Sequence, residues 1–187
     1  NVVMEDLYLP DCNKDTLAYI KRLEAGFNPA TVWSDSKLTL SKVDLDSFKI
    51  YVSSNADVYN FEYLIDAFSS TDPTEVDTTP SKFDMELSDI SLKRGILKYD
   101  IIDSSYAQPG VFDYNHIHLS EVLISGYLKS IQTDNLRAEI SQLSAFDDLT
   151  HVRINDLKIL DFAMLTDGFS SEQISLQTPK SSLTLND

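Results

Sequence analysis

Three stretches, 38-LTLSKVDL-45, 85-MELSDISL-92 and 117-IHLSEVLI-124, share one pattern: apolar, any, apolar, serine, charged, apolar, any, apolar. Side chains alternate faces along an extended strand, so the two apolar pairs of each stretch share a face only if one extra residue is inserted at the serine-charged step. A β-bulge makes that insertion, and it bends and twists the strand where it sits. Repeated at matching places, such bulges curl neighbouring strands into a strongly curved sheet with one continuous apolar face. A β-sandwich corner uses bulges in the same way and is the alternative architecture.

Period-two alternation extends well beyond these copies. It runs through 15–27, 37–52, 83–102, 116–131, 136–143, 152–165 and 173–185, each reading as one strand or a hairpin, with a turn expected at Arg94-Gly95 and a short helix also compatible with Thr16 to Phe27. One segment has a different period. In 60-NFEYLIDAF-68, Phe61, Leu64, Ile65 and Phe68 fall at i, i+3, i+4 and i+7 behind Asn60 as N-cap, which predicts a two-turn helix laid apolar side down on the sheet. The segment 69–81 is polar with two prolines and reads as a flexible linker; 103–110 is a loop with a Pro109-Gly110 turn signal. The predicted fold is mostly β: a curved, groove-like antiparallel sheet of bulged strands with one short helix packed on it, forming a single β-rich unit over 1–187. Beginning at Asn1 without Met and stopping just after an alternating stretch, it reads as a segment of a longer, repeat-like protein.

Composition narrows the function classes. Thirty acidic against fifteen basic residues give a formal charge of −15, which repels phosphate backbones and argues against a nucleic-acid partner. Cys12 is the sole cysteine, so no internal disulfide forms. No apolar run approaches the ~18 residues of a membrane-spanning helix. Nor is there a Gly-x-Ser-x-Gly elbow, a Gly-rich phosphate loop or a His-Glu-x-x-His pair, so the chain reads as non-enzymatic and without a cofactor. His116 and His118 sit two apart on a strand with Asp113 near and His151 remote, but a stable zinc site wants at least three protein ligands, and the pair reads as a solvated strand face. Trp33 with Tyr8, Tyr19 and Tyr59 is the set that would serve a sugar-stacking site in the alternative reading, an extracellular β-sandwich adhesion or glycan-binding module.

The order of the pieces resembles the TamB family of the AsmA-like superfamily, in the region that follows the membrane anchor of these Gram-negative envelope proteins. The likeness runs over 16-TLAYIKRLEAGF-27, the strand pair 38-LTLSKVDLDSFKIYV-52, the helix 60-NFEYLIDAF-68 before a polar linker and the hairpin 83-FDMELSDISLKRGILKYD-100. It continues through 114-YNHIHLSEVLISGYL-128, 137-RAEISQLSAF-146 and 172-EQISLQTPKSSL-183. The chain departs from the pattern at 143-LSAFDDLTHVRI-154, where a glycine-bearing turn is expected and none occurs.

The resemblance implies an elongated curled sheet with an apolar inner trough, periplasmic and anchored to the inner membrane upstream. It implies a part in translocation and assembly at the outer membrane: phospholipid transport between the two membranes or, with an outer-membrane barrel partner, insertion of outer-membrane proteins. Phospholipid acyl chains are then the expected ligands. The expected lipid-facing residues are Leu38, Leu40, Val43, Leu45, Met85, Leu87, Ile90, Leu92, Ile117, Leu119, Val122 and Ile124, with Phe61, Leu64, Ile65 and Phe68 capping the groove. Each CH₂ taken out of water is worth about 0.8 kcal/mol, so a long acyl chain gains on the order of 12 kcal/mol before ordering costs. Edges cut from a stacked array would also be able to pair with another copy.

Overall fold

The computed structural model of the chain describes residues 1–27, 37–56, 58–64, 84–106, 110–132, 135–165 and 168–186. Eleven strands form one sheet: β1 (Val2–Pro10), β2 (Thr16–Phe27), β3 (Lys37–Asn55), β4 (Val58–Tyr59), β5 (Asp84–Ile101), β6 (His116–Gln132), β7 (Asn135–Asp147), β8 (Val152–Leu165), β9 (Gly168–Ser170), β10 (Gln173–Gln177) and β11 (Ser182–Asn186). Their order is β1-β2-β3-β5-β6-β7-β8-β10-β11, with β4 on β3 and β9 on β8. The mostly-β open sheet follows the alternation in the sequence, and Thr16–Phe27 is strand, not helix.

Direction departs from expectation at one pairing. Every neighbouring pair is antiparallel except β3 and β5, which run parallel. The sheet is therefore mixed. The supposed strand pair at 38–52 and hairpin at 83–100 are each a single long strand, and Arg94 takes its positive φ of 55° inside β5, as a bulge and not a turn.

All three serine-charged steps are bulges. Between Leu87 and Ile90, β5 holds two residues where β6 holds one; between Leu119 and Val122, β6 holds two where β5 holds one. At Ser41, β3 has an extra residue relative to β2. Positive φ at Asp6, Ser47 and Arg94 marks a further line, which the third of these steps joins at Glu121. Asp6 falls between the pairs Glu5–Arg22 and Leu7–Ile20, Ser47 between Arg22–Asp46 and Ile20–Phe48, and Arg94 Nε donates to Ser47 Oγ at 3.3 Å. Left-handed backbone costs a non-glycine residue roughly 1–2 kcal/mol, so its alignment over several strands makes a crease bending the sheet along one transverse line.

The core sits at that crease. Ile20, Phe48, Val122 and Ala145 are buried together, with Leu7, Leu23, Leu45, Leu92, Leu97 and Leu119 among the half-buried residues packed on them. Phe48 lies over Gly95, where a Cβ would stand 2.0 Å from its Cζ, so the glycine makes the slot that the ring fills. The total surface is 12501 Å², against about 9,000 Å² expected of a compact chain of this mass.

The predicted helix is only partly within the described residues. Residues 62–64 are helical, with Leu64 N donating to Phe61 O at 2.9 Å, and Phe61 and Leu64 are half-buried; Ile65 and Phe68 lie outside the described residues, as do Trp33 and the linker 69–81. Asn60 does not cap this turn with its side chain. Its Oδ1 accepts from Ser53 N at 3.1 Å and its Nδ2 donates to Tyr51 O at 3.0 Å, tying the turn to β3. The turn after β7 forms without glycine: His151 adopts φ 59°, its N donating to Asp147 O at 2.8 Å, while Asp147 Oδ1 accepts from Leu149 N at 3.3 Å.

Candidate functional site: a two-faced sheet

Direct cross-strand partners share a face. Between the parallel strands Leu38 pairs with Met85, Leu40 with Leu87, Val43 with Ile90 and Leu45 with Leu92. Across β5–β6, Ile124 pairs with Leu92, Val122 with Gly95, Leu119 with Leu97 and Ile117 with Tyr99. The register thus places the ten expected groove residues whose side chains are described on one face. The side chains of Leu38 and Met85 lie outside the described residues.

Following the ladders outward reveals what the sequence alone did not. Starting at β1, Met4 pairs with Leu23, Leu23 with Leu45, Leu45 with Leu92, Leu92 with Ile124 and Ile124 with Leu143. Leu143 then pairs with Leu157, Leu157 with Leu176 and Leu176 with Leu183. A second row, two residues further along each strand on the same face (three in β7, across its bulge), runs through Val2, Ala25, Val43, Ile90, Gly126, Ile140, Ile159, Ile174 and Leu185. Neither row contains a polar side chain. With strands about 4.8 Å apart, the eight intervals span roughly 38 Å, more than twice the roughly 15 Å that one leaflet contributes to a bilayer core.

Burial separates two kinds of apolar residue on this face. Interior members of both rows are all half-buried, and the edge members Val2, Met4, Leu183 and Leu185 are 40%, 41%, 51% and 52% exposed. Val122 is 0% exposed and Phe48 1%. Val122 is therefore sealed in the crease and cannot face a ligand, which corrects its place among the groove residues: the crease is packed floor, and the rows beside it are accessible wall. Alternation in 152–165 and 173–185 signalled that β8, β10 and β11 were strands, but only register shows that their leucines and isoleucines extend the same rows.

The opposite face is polar. Between the two rows the ladder runs Glu24, Asp44, Ser91, Ser125 and Gln142. Charges of opposite sign alternate there: Arg22 lies 3.9 Å from Glu5 and 3.2 Å from Glu24, Lys42 3.4 Å from Glu24 and 3.7 Å from Asp44, and Lys93 3.6 Å from Asp44. Hydrogen bonds from Arg22 and then Lys42 hold the Glu24 carboxyl below its ordinary pKa.

A polar cluster stands at the β5–β6 end of the sheet. Asp100 pairs with His116 in the ladder; its Oδ1 lies 3.0 Å from His116 Nδ1, and its two oxygens lie 2.8 and 2.9 Å from His118 Nε2. Tyr106 donates to Asp100 Oδ1 at 3.1 Å and stacks on the His116 ring, centroids 3.8 Å apart. The histidine pair is thus not the solvated face expected: His116 is only 3% exposed, because Asp100 and Tyr106 cover it, and its Nε2 is buried without a hydrogen-bond partner. Desolvation is the largest influence on the Asp100 carboxyl and pushes its pKa up, but the hydrogen bonds from His116 and His118, the electrostatic attraction of His118 and the Tyr106 hydrogen bond together outweigh it and hold it low. Among the described residues no group of three or more His, Cys, Asp and Glu side chains is arranged to hold a metal.

The aromatic set does not converge among the described residues. Tyr8 faces Tyr19 across β1–β2, and Tyr19 donates to Asp6 Oδ1 at 2.6 Å, while Tyr59 packs against Phe61 with centroids 5.2 Å apart. No helix among the described residues is long and apolar enough to cross a membrane. Compared with protein-family models, with curated proteins and with solved structures, the chain matches none significantly.

Proposed function

We propose that this chain is a non-enzymatic segment of a TamB-like, AsmA-related envelope protein whose two apolar rows form one wall of a groove for phospholipid acyl chains. One observation carries the reading: two adjacent rows without a polar side chain cross all nine strands of the main sheet path, half-buried on the seven interior strands and exposed on the two outer ones. An apolar wall that is uniform from strand to strand offers a chain many equivalent contacts and no single tight site, which suits sliding. The charged reverse face suits an aqueous compartment. With this reading go a periplasmic location, an inner-membrane anchor upstream and a barrel partner in the outer membrane, as the family likeness implies. The adhesion alternative needs two facing sheets, whereas the strands here belong to one.

The test is lipid extraction and native mass spectrometry of protein purified from cells, with Leu157→Glu and Ile159→Glu placed in the rows and Ser125→Glu on the reverse face. Phospholipid should accompany the wild type and Ser125→Glu and be lost from the row variants, which remain folded because their positions reach solvent. Val122→Glu should unfold the chain, since it buries an unpaired charge. Wild-type protein free of phospholipid, or row variants as unfolded as Val122→Glu, overturns the proposal.

A further inference from the structure

On the reverse face, the turn joining β1 to β2 comes up against β3 and β5 and leaves a cleft of about 400 Å³. Tyr51 and Lys98 are cross-strand partners within it. Each directly follows a residue packed on the core, Ile50 or Leu97, so both point away from the apolar rows. Asp11, Asp15 and Thr16 line the cleft from the turn, and Asn60 and Asp100 line it as well.

Opposite charges share this cleft without meeting. Lys98 Nζ stands 5.4 Å from the centre of the Tyr51 ring and forms no ion pair among the described residues. Asp11 is half-buried, and its Oδ1 accepts from Asn13 N and Asp15 N, both at 2.8 Å, which fixes the carboxylate and leaves Oδ2 without a partner among the described residues. The Asp15 carboxylate accepts no hydrogen bond from them either. Two other polar groups are already committed: Asp100 takes the donors of His116, His118 and Tyr106, and the Asn60 amide is held by Ser53 N and Tyr51 O. One ammonium, two carboxylates and the hydroxyls of Thr16 and Tyr51 are left to a ligand. Such a set selects against simple ligands. A lone cation meets the repulsion of Lys98 and a lone anion that of Asp11 and Asp15, while a neutral polyol leaves every charge unpaired.

We propose that this cleft binds a small zwitterion: an ammonium and an oxyanion, phosphate or carboxylate, on one short carbon chain. Its ammonium donates to Asp11 Oδ2 and to Asp15, and its oxyanion accepts from Lys98 Nζ and from the Thr16 and Tyr51 hydroxyls. Hydrogen bonds between charged partners are the strong ones, so the two ends together discriminate where neither end alone would. The turn is set in advance, because the backbone donors of Asn13 and Asp15 hold Asp11 in place before any ligand arrives. Free amino-phosphates, amino acids and the headgroup of an amino-phospholipid share this chemistry. The cleft lies opposite the apolar rows, so the proposal stands whether or not the rows carry lipid.

An amide-resolved NMR titration of the whole chain tests it, with O-phosphoethanolamine and β-alanine as zwitterions, ethanolamine, phosphate and acetate as their halves, and glucose as a neutral control. The better zwitterion should give saturable shifts at Asp11 to Thr16, Tyr51 and Lys98 and bind about tenfold more tightly than any half. Lys98→Met keeps the side-chain stem, and Asp11→Asn keeps an acceptor for both turn amides; each should weaken binding about tenfold. Lys158→Met, outside the cleft, should leave it unchanged. Dihexanoyl phosphatidylethanolamine binding more tightly than O-phosphoethanolamine assigns the site to a lipid headgroup, and weaker binding assigns it to a soluble ligand; both uphold the proposal. Glucose or a half binding as tightly as the better zwitterion overturns it. So does wild-type affinity in Lys98→Met or Asp11→Asn protein folded by circular dichroism, or the absence of saturable shifts in the cleft.

Discussion

Substituting Gly95 by Ala places a methyl group against the one fully buried aromatic ring among the described residues. A Cβ there would stand 2.0, 2.4 and 2.5 Å from Phe48 Cζ, Cε1 and Cε2, against an optimal carbon separation of about 3.5–4.0 Å. The ring must retreat by roughly 1.5 Å, and it has little room: Phe48 is packed with Ile20 and Val122, both buried in the same cluster. Overpacking of this kind costs about 1–3 kcal/mol. For a chain of this length each kcal/mol lowers Tm by about 2–4 °C, so Gly95→Ala should melt roughly 2–12 °C below wild type. Phe48→Ala removes the ring and should cost about 3–5 kcal/mol by itself. In the double variant the new methyl enters the emptied slot, so the loss should fall short of the summed singles by about 1–3 kcal/mol. Urea denaturation with an unchanged m-value measures all three. A Gly95→Ala protein within about 0.5 kcal/mol of wild type, or strictly additive effects, would refute the claim that the glycine exists to seat the ring.

Two further outcomes follow from the ladders. Deleting Ser41 or Ser88 alone leaves one of two parallel bulges without its counterpart and should destabilise more than deleting both, as read by thermal melting; a double deletion at least as damaging as either single one would refute matched bulging. Because the Asp100 carboxyl is held below its ordinary pKa, its contribution to stability is complete above the unfolded value near pH 4 and fades as pH falls through the lower folded value. Asp100→Asn should therefore flatten the acid limb of the Tm–pH profile, and identical limbs would refute that role.

Local pattern carried much of the fold because a bulge leaves a local mark. At Ser41-Lys42, Ser88-Asp89 and Ser120-Glu121 two polar residues separate apolar neighbours, which alternation alone cannot explain. The crease bulges have the same form, Leu45-Asp46-Ser47-Phe48 and Leu92-Lys93-Arg94-Gly95, but the second copy ends in glycine and imitates a turn. Strand direction was not legible, since alternation is the same read either way. Nor was the environment of His116: its spacing from His118 put both on one face, but which residue lay across from them was a matter of register, and Asp100 is sixteen positions away. The sealed state of Val122 was hidden for a related reason, because its burial comes from Phe48 filling a slot on a strand that is distant in sequence.

The parallel pairing of β3 and β5 explains how rows stay apolar across strands that are each bulged more than once. Every pair between them has the same offset, 84 − 37 and 101 − 54 both giving 47, without a slip. The first two copies of the eight-residue pattern, at 38 and 85, are separated by that same 47, so they lie side by side with their bulges in step. Running in one direction is what makes this possible. An antiparallel neighbour meets the pattern reversed, and β5–β6, β6–β7 and β7–β8 accordingly shift register at three places each. Each shift answers a bulge on one strand with a skipped residue on the other. Without it the next pair would turn to the opposite face and put a charged residue into the apolar row. The irregularities are thus the means by which one face remains continuous from β1 to β11, and a sheet made regular by removing them singly would lose its two-sidedness before it lost its hydrogen bonds.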